Sequence, residues 1–212
     1  MASVLEEMAQ AVIDGDGERV AELVKTALSE KVAPSRIIND GLVAGMGVVG
    51  ERFKNGEFFI PEVLMSARAM HVGMALVKPL LGSGEEKGRG TIVICTVKGD
   101  VHDIGKNLVA MMLEGGGFRV VDLGTDVLPE RAVAAVREHS AQVLAMSSLL
   151  TTTLARMPET IKALEAAGLR GRVKVMVGGA PVTQAFADRA GADGYAPDAA
   201  LAVELARRLL GL

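Results

Sequence analysis

Aromatic residues are nearly missing from this sequence: Phe, Tyr and Trp make up 3% of the 212 residues, with no Trp and a single Tyr. Half of the residues are apolar, so a core must be assembled from Ala, Val, Leu, Ile and the 11 Met, with Met filling gaps that rings would otherwise occupy. The only cysteine, Cys95, excludes an internal disulfide framework, and its apolar neighbours make it a small buried hydrophobe rather than a reactive thiol. No excess of one charge is present. Lys and Arg number 23 against 26 Asp and Glu, with no basic stripe interleaved with aromatics, so we expect no nucleic-acid partner. The opening residues are too acidic for a signal peptide. No apolar run reaches the about 18 residues of a membrane span. A soluble, cytoplasmic protein with no membrane partner is the expectation.

The pattern that is present changes along the chain. Residues 1–81 carry helical signals only. Ser3 and Glu6 have the spacing of a capping box, and a first helix should run to the turn at 14–17. A second helix is predicted over 18–31. Pro34 opens a third that reaches about Phe53 despite Gly41, Gly45, Gly47 and Gly50, which either permit close helix packing or break the helix early. After the Asn55–Gly56 turn, Pro61 opens a fourth helix to about Leu81. Four helices with short connections predict a four-helix bundle over 1–81. Residues 82–90, rich in Gly and charge with no apolar anchor, read as a linker to a second domain at 91–212.

From Thr91 the pattern alternates. Apolar strand runs fall at 91–97, 118–123, 142–148 and 173–177, with a weak fifth at 193–196. Helical segments fall at 103–115, 129–139, 154–167, 181–190 and 198–210. Short strands that are apolar on both faces belong to a buried parallel sheet. The expected fold class is α/β: a flavodoxin- or Rossmann-like five-stranded parallel sheet in the order 2-1-3-4-5, behind the N-terminal four-helix cap. Ligands of such sheets bind beyond the carboxyl ends of the strands at the switch point, here between strands 1 and 3.

Three loops converge there. The first, Lys98 to Asn107, offers one imidazole, His102, between Asp100 and Asp103. The second is the hydroxyl-rich run Ser147 to Thr153, and the third begins at Gly178–Gly179. A phosphate-binding reading of the first loop fails. Gly99 and Gly105 enclose five residues where that motif needs four, and Asn107 stands where a magnesium-binding hydroxyl belongs. Asp103 has the place of an N-cap for the following helix.

Asp100-x-His102-x-x-Gly105, Ser147-x-Leu149 and Gly178–Gly179, in this order and each at a strand end, resemble the three-part signature of cobalamin-binding domains. Such domains occur in methionine synthase, the cobalamin mutases and the corrinoid proteins of methyltransferase systems. The stretch from Asn55 to Val63 and Ser66 to Met70 resembles the helical cap that precedes this domain in methionine synthase and the methyltransferase corrinoid proteins.

The resemblance implies a cofactor, cobalamin or a related corrinoid, and a role for each position. His102 would displace the corrinoid's own lower base and ligate the cobalt. Asp100 would hydrogen-bond the other imidazole nitrogen, and Thr153, where methionine synthase has a serine, would extend that relay. Val101, Asp103 and Ile104 flank the ligand, and Ser147, Leu149 and Thr151 line the channel for the displaced nucleotide tail. Gly105, Gly178 and Gly179 let that tail approach the backbone. Phe59 (or Phe58), Met65 and Met70 of the cap would cover the upper cobalt face. Ligation to His102 would come and go with methylation, moving a proton on and off the His102–Asp100 pair.

The implied function is that of a methyl carrier, not catalytic alone. It would work between a substrate:corrinoid methyltransferase and a corrinoid:tetrahydrofolate or thiol methyltransferase, with a reductive activase as a further partner. Two alternatives belong to other classes. A cobalamin-dependent sensor would add a DNA-binding module, for which the sequence shows neither room nor a basic patch. The small subunit of an adenosylcobalamin mutase would lack the helical cap.

Overall fold

The computed structural model describes residues 2–81 and 88–212; residues 82–87, most of the expected linker, lie outside the described residues. The chain forms two compact units, Met1–Gly88 with Glu114–Gly117, and Arg89–Leu113 with Phe118–Leu212.

The first unit is helical. Helix α1 (Val4–Ile13) starts at the expected capping box: Glu6 N–H donates to Ser3 Oγ at 3.3 Å and Ser3 N–H to Glu6 Oε2 at 2.7 Å. Helix α2 (Gly17–Ser29) is capped by Asp16, whose Oδ1 accepts from Arg19 N at 2.9 Å, and it ends before the predicted residue 31, where Lys31 turns to φ +58°. The third predicted helix is divided into α3 (Pro34–Arg36), a π-helical run Ile37–Val43, and α4 (Ala44–Lys54). Two of the four glycines, Gly41 and Gly45, serve close packing, whereas Gly47 meets nothing within 4 Å. A Cβ on Gly45 would lie 2.7 Å from the Ala9 carbonyl oxygen, and one on Gly41 2.7 Å from Met8 Sδ. Helix α5 (Ile60–Val77) passes into a 3-10 turn at Lys78–Leu80, so it is one turn shorter as an α-helix than predicted.

By length and composition Ile60–Leu80 is apolar enough to cross a membrane, with a mean hydropathy of 1.2, contrary to the sequence expectation. Its buried stripe, Val63, Ala67, Met70, Gly73 and Val77, follows the spacing of a helix facing a protein core.

The second unit alternates β1 (Thr91–Thr96), α6 (Ile104–Gly115), β2 (Arg119–Asp122), α7 (Pro129–Glu138), β3 (Val143–Ser147), α8 (Arg156–Ala166), β4 (Lys174–Gly178), α9 (Gln184–Ala190), β5 (Gly194–Tyr195) and α10 (Ala199–Leu210). All strands are parallel, in the order β2-β1-β3-β4-β5, as expected for the flavodoxin-like class. β1, β3 and β4 are apolar because helices cover both of their faces. Val93, Cys95, Leu144, Met146 and Val175 are buried with Met157 and Leu164 in one cluster. Each fully buried side chain of this size contributes about 1.5–3 kcal/mol. Burial pushes the Cys95 thiol up to about 12, with the nearby Asp122 adding to the rise, so the thiol is inert as expected. The register sets Thr96 beside Ser147 and Ser147 beside Gly178, so the three central strands end in one row. The three loops start from that row.

Candidate functional site

The turn that follows β1 is dictated by one glycine. Asp100 N–H donates back to the Val97 carbonyl at 3.1 Å, and Gly99, third of the four residues, sits at φ +85°. A type II turn requires positive φ at that place. The turn sends the Asp100 side chain inward, where it is 0% exposed, and leaves the His102 side chain 48% exposed.

Asp100 is the hub of the site. Its Oδ1 accepts from the His102 main-chain N–H at 3.1 Å and bonds His102 Nδ1 at 2.8 Å. Its Oδ2 accepts from the N–H groups of Leu149 at 2.7 Å and Leu150 at 3.2 Å, in the loop after β3. Thr153 Oγ1 adds a bond to Oδ2 at 3.2 Å, and Ser148 Oγ lies 3.5 Å from the same oxygen and 2.8 Å from Thr153 Oγ1. Thr96 Oγ1 donates to the His102 carbonyl at 2.9 Å and fixes the main chain on the far side of the ring.

Burial alone would push the Asp100 carboxyl up, since an ionised carboxylate out of water costs several kcal/mol. The hydrogen bonds from His102, Leu149 and Leu150 outweigh it and hold the carboxyl well below the usual carboxylate range. Each bond to a charged group returns about 1.5–3 kcal/mol, so several together win. An ionised carboxylate only accepts. The proton of a neutral His102 therefore sits on Nδ1, and Nε2 keeps its lone pair as a potential metal ligand.

A cavity of about 570 Å³ opens beside this cluster, a size typical of small-molecule sites. Val101, His102, Asp103, Ile104 and Gly105 border it from the first loop, Ser147 and Leu149 from the second, and Gly178 and Gly179 from the third. Val101 and Ile104 are exposed apolar side chains at this border. Asp103 directly precedes α6; its carboxylate takes the Asn107 side-chain amide at 3.1 Å and its carbonyl the Asn107 N–H at 2.7 Å.

The three glycines separate by what surrounds them. A Cβ on Gly179, held at φ +119°, would lie 2.0 Å from the Ser148 carbonyl oxygen, so the fold itself demands glycine there. A Cβ on Gly178 would meet the Ala196 carbonyl at 3.1 Å. A Cβ on Gly105 would meet nothing within 4 Å, so no protein atom fills the space in front of its backbone.

Some sequence-predicted residues stand apart. Thr151 is exposed in the 3-10 turn Thr151–Thr153 and does not border the cavity. Phe59, Met65 and Met70 belong to the helical unit. Phe59 and Met65 are exposed, whereas Met70 is fully enclosed in the core and has no free face for a ligand, which corrects its assignment.

Sequence reading missed Ser148, Thr96 and the amides of Leu149 and Leu150. Strand alternation carried a signal for Ser148: if Ser147 faces the cavity, the next residue faces away, toward Asp100. It also missed Met176, Pro197 and Asp198, which wall the cavity from β4 and the segment before α10.

The residues suit a metal that arrives already held in a macrocycle. Among the described residues no three His, Cys, Asp or Glu side chains gather as a metal site. One imidazole with its second nitrogen bound to a carboxylate is what an axial position of such a metal needs. The cavity and the open backbone at Gly105 leave space for the rest of a bulky cofactor.

Comparison with known proteins agrees. Residues 90–204 match a family described as a B12 binding domain, and residues 4–78 match a second family of the same description. A corrinoid protein of Desulfitobacterium hafniense (strain Y51) is 46% identical over 99% of this chain and 98% of its own length. Dimethylamine corrinoid protein 3 of Methanosarcina acetivorans is 48% identical over 98% and 97%. Among solved structures, a chain of the methanol:cobalamin methyltransferase complex of Methanosarcina barkeri superposes with a TM-score of 0.89 at 35% identity, over 98% of this chain and 80% of that one. With both B12-binding families matched and relatives aligned from end to end, this chain belongs to the corrinoid-binding proteins that carry a helical module ahead of a Rossmann-like B12 domain.

Proposed function

We propose that this chain carries a methyl group on a corrinoid between two methyltransferases, with His102 as the lower axial ligand. The observation that supports this most is the Asp100 hub, which sets the His102 tautomer and leaves Nε2 free. The relatives point the same way, since one is named for dimethylamine and another solved chain belongs to a methanol:cobalamin methyltransferase complex. The bound corrinoid supplies the chemistry, a cobalt that is nucleophilic when reduced and holds a methyl group when alkylated.

The chain's own groups manage ligation and protons. Asp100 keeps the Nδ1 proton in place and raises the basicity of Nε2. Thr153 and Ser148 are joined at 2.8 Å, so one hydroxyl gives its proton to the other and the second is left to donate to an ionised Asp100; either can turn to accept when a proton arrives there. The cavity beside Gly105, with Ser147 and Leu149 on one wall, would take the nucleotide tail of the corrinoid. Phe59 and Met65, exposed on the helical unit, are available to shield the methyl group. A substrate:corrinoid methyltransferase loads the carrier, a corrinoid:tetrahydrofolate or thiol methyltransferase unloads it, and a reductive activase restores cobalt that has been oxidised.

The test is reconstitution of the wild-type protein and His102→Ala with hydroxocobalamin. Both are expected to bind, and with ¹⁵N-histidine-labelled protein only the wild type should show the doublet splitting of a ¹⁵N ligand in the electron paramagnetic resonance of the one-electron-reduced cobalt(II) form, since the cofactor's own ¹⁴N base would give a triplet. Identical spectra would overturn the ligand assignment. Anaerobic reduction followed by methyl iodide should methylate the wild type stably in the dark. Retention of adenosylcobalamin with light-dependent oligomerisation would favour a sensor instead.

A further inference from the structure

The turn that aims Asp100 is gripped from a second side. Asp126, in the loop between β2 and α7, stands at φ +56°, the left-handed region that a side chain occupies at a cost and that Asp and Asn enter most readily. In that conformation it makes three contacts with the loop after β1. Its Oδ1 accepts from the Gly99 N–H at 2.8 Å, its Oδ2 from Lys98 Nζ at 2.9 Å, and its own N–H donates to the Asp100 carbonyl at 2.9 Å. Both members of the Lys98–Asp126 ion pair are exposed, and pairs of that kind contribute little to stability. The two bonds to the main chain are therefore the ones with consequence.

Gly99 makes the turn possible and also makes it soft, since glycine is the residue with the most backbone freedom. The Asp100 carboxylate, however, has to meet His102 with one oxygen and the amides of Leu149 and Leu150 with the other. A small rotation of the Gly99–Asp100 peptide breaks one of the two sets. We propose that Asp126 is a positioning residue for His102: its carboxylate holds the Lys98–Gly99 peptide and its N–H the Asp100–Val101 peptide, the two that flank the Gly99–Asp100 peptide, and so keep the hub where it can fix the imidazole. The link to cobalt rests on the His102 reading above; the pinning of the ring does not.

Three variants separate the possibilities. Asp126→Gly accepts the left-handed backbone and retains the N–H that bonds Asp100, but it loses the carboxylate and adds backbone freedom, which the Asn variant does not. Asp126→Asn keeps an acceptor for the Gly99 N–H. Lys98→Met removes the ion pair alone. In the protein without corrinoid, ¹⁵N NMR of the His102 ring and amide exchange at His102 and Leu149 report on the hub directly. Asp126→Gly is expected to turn a single Nδ1–H tautomer into a mixture and to raise exchange by about 10- to 100-fold, the effect of losing one hydrogen bond to a charged group. Asp126→Asn should restore both readouts, and Lys98→Met should leave them unchanged. After reconstitution with hydroxocobalamin and reduction, Asp126→Gly should lose part of the histidine-ligated signal.

A wild-type ring spectrum and wild-type exchange in Asp126→Gly would overturn the proposal, as would a Lys98→Met effect of the same size. His102→Ala is run alongside. If it leaves the loaded spectrum unchanged, the ligand reading fails, while the ring spectra of the corrinoid-free protein still decide whether Asp126 positions the imidazole.

Discussion

At the scale of single residues, the site turns on which atom holds which proton. Asp100→Asn sharpens the point. Donor N–H groups face both ends of the Asp100 side chain, two main-chain amides at Oδ2 and the His102 amide and ring at Oδ1. An amide nitrogen fits best at the Oδ1 end, where it donates to the ring and reverses the His102 tautomer. We expect an Nε2–H imidazole by ¹⁵N NMR, no histidine ligation, and a loss of about 1–3 kcal/mol in stability from the N–H left unpaired. The acid dependence has a definite sign. The folded carboxyl lies below its ordinary value of 3.8, so its contribution to stability is complete above that pH and fades as pH falls toward the folded value. Urea midpoints of the corrinoid-free protein should therefore fall below about pH 4, with a smaller fall in Asp100→Asn.

His102, Asp100 and Gly105 were legible in the sequence because a distinctive residue type stood at each. Ser148 hid among neighbouring hydroxyls, and Asp126 hid because its importance lies in a backbone angle. The amides of Leu149 and Leu150 could not be read at all, since every residue but proline has one.

At the scale of elements, the strands and their order were readable because apolar runs bounded by turns repeat in the second half. The fifth strand is an edge strand of two residues, and its Gly194 is required by α10: a Cβ there would lie 2.5 Å from Leu205 Cδ1. The π-helical run Ile37–Val43 was not readable, because no residue pattern signals a change from i+4 to i+5 bonding inside a helix. The glycines of the first and third loops looked equivalent in sequence and are not. Gly105→Leu should fold normally, and its second-residue place in α6 favours Leu over Gly by about 0.5–1 kcal/mol. Its titration with hydroxocobalamin should be weakened at least tenfold. Gly179→Ala should instead lower thermal stability by more than about 3 kcal/mol, because the new Cβ collides with main chain that cannot move aside. Equal melting temperatures for the two variants would contradict this division.

At the scale of the whole molecule, the chain divides between a unit that contains the cavity and its three loops and a unit that is helical. The sheet unit has its own core, running from Val93 through Met146 to Val177. Residues 89–212 expressed alone are therefore expected to unfold as one cooperative transition in calorimetry and to bind hydroxocobalamin. A broad transition would show that the sheet needs the helical unit to fold. If Phe59 and Met65 shield the methyl group, the fragment should lose it faster in light than the full chain does.

The two bonds that His102 makes to Asp100 Oδ1, one from its main-chain N–H and one from its ring, close a small loop of atoms within three consecutive residues. The imidazole is thereby oriented by its own peptide group, and the remainder of the protein has only to keep one carboxylate still. Such a unit is portable. A glycine-bearing turn with Asp-x-His after a parallel strand, given two amides from a neighbouring loop for the second oxygen, is a compact template for placing a histidine of known tautomer at the rim of a designed α/β sheet.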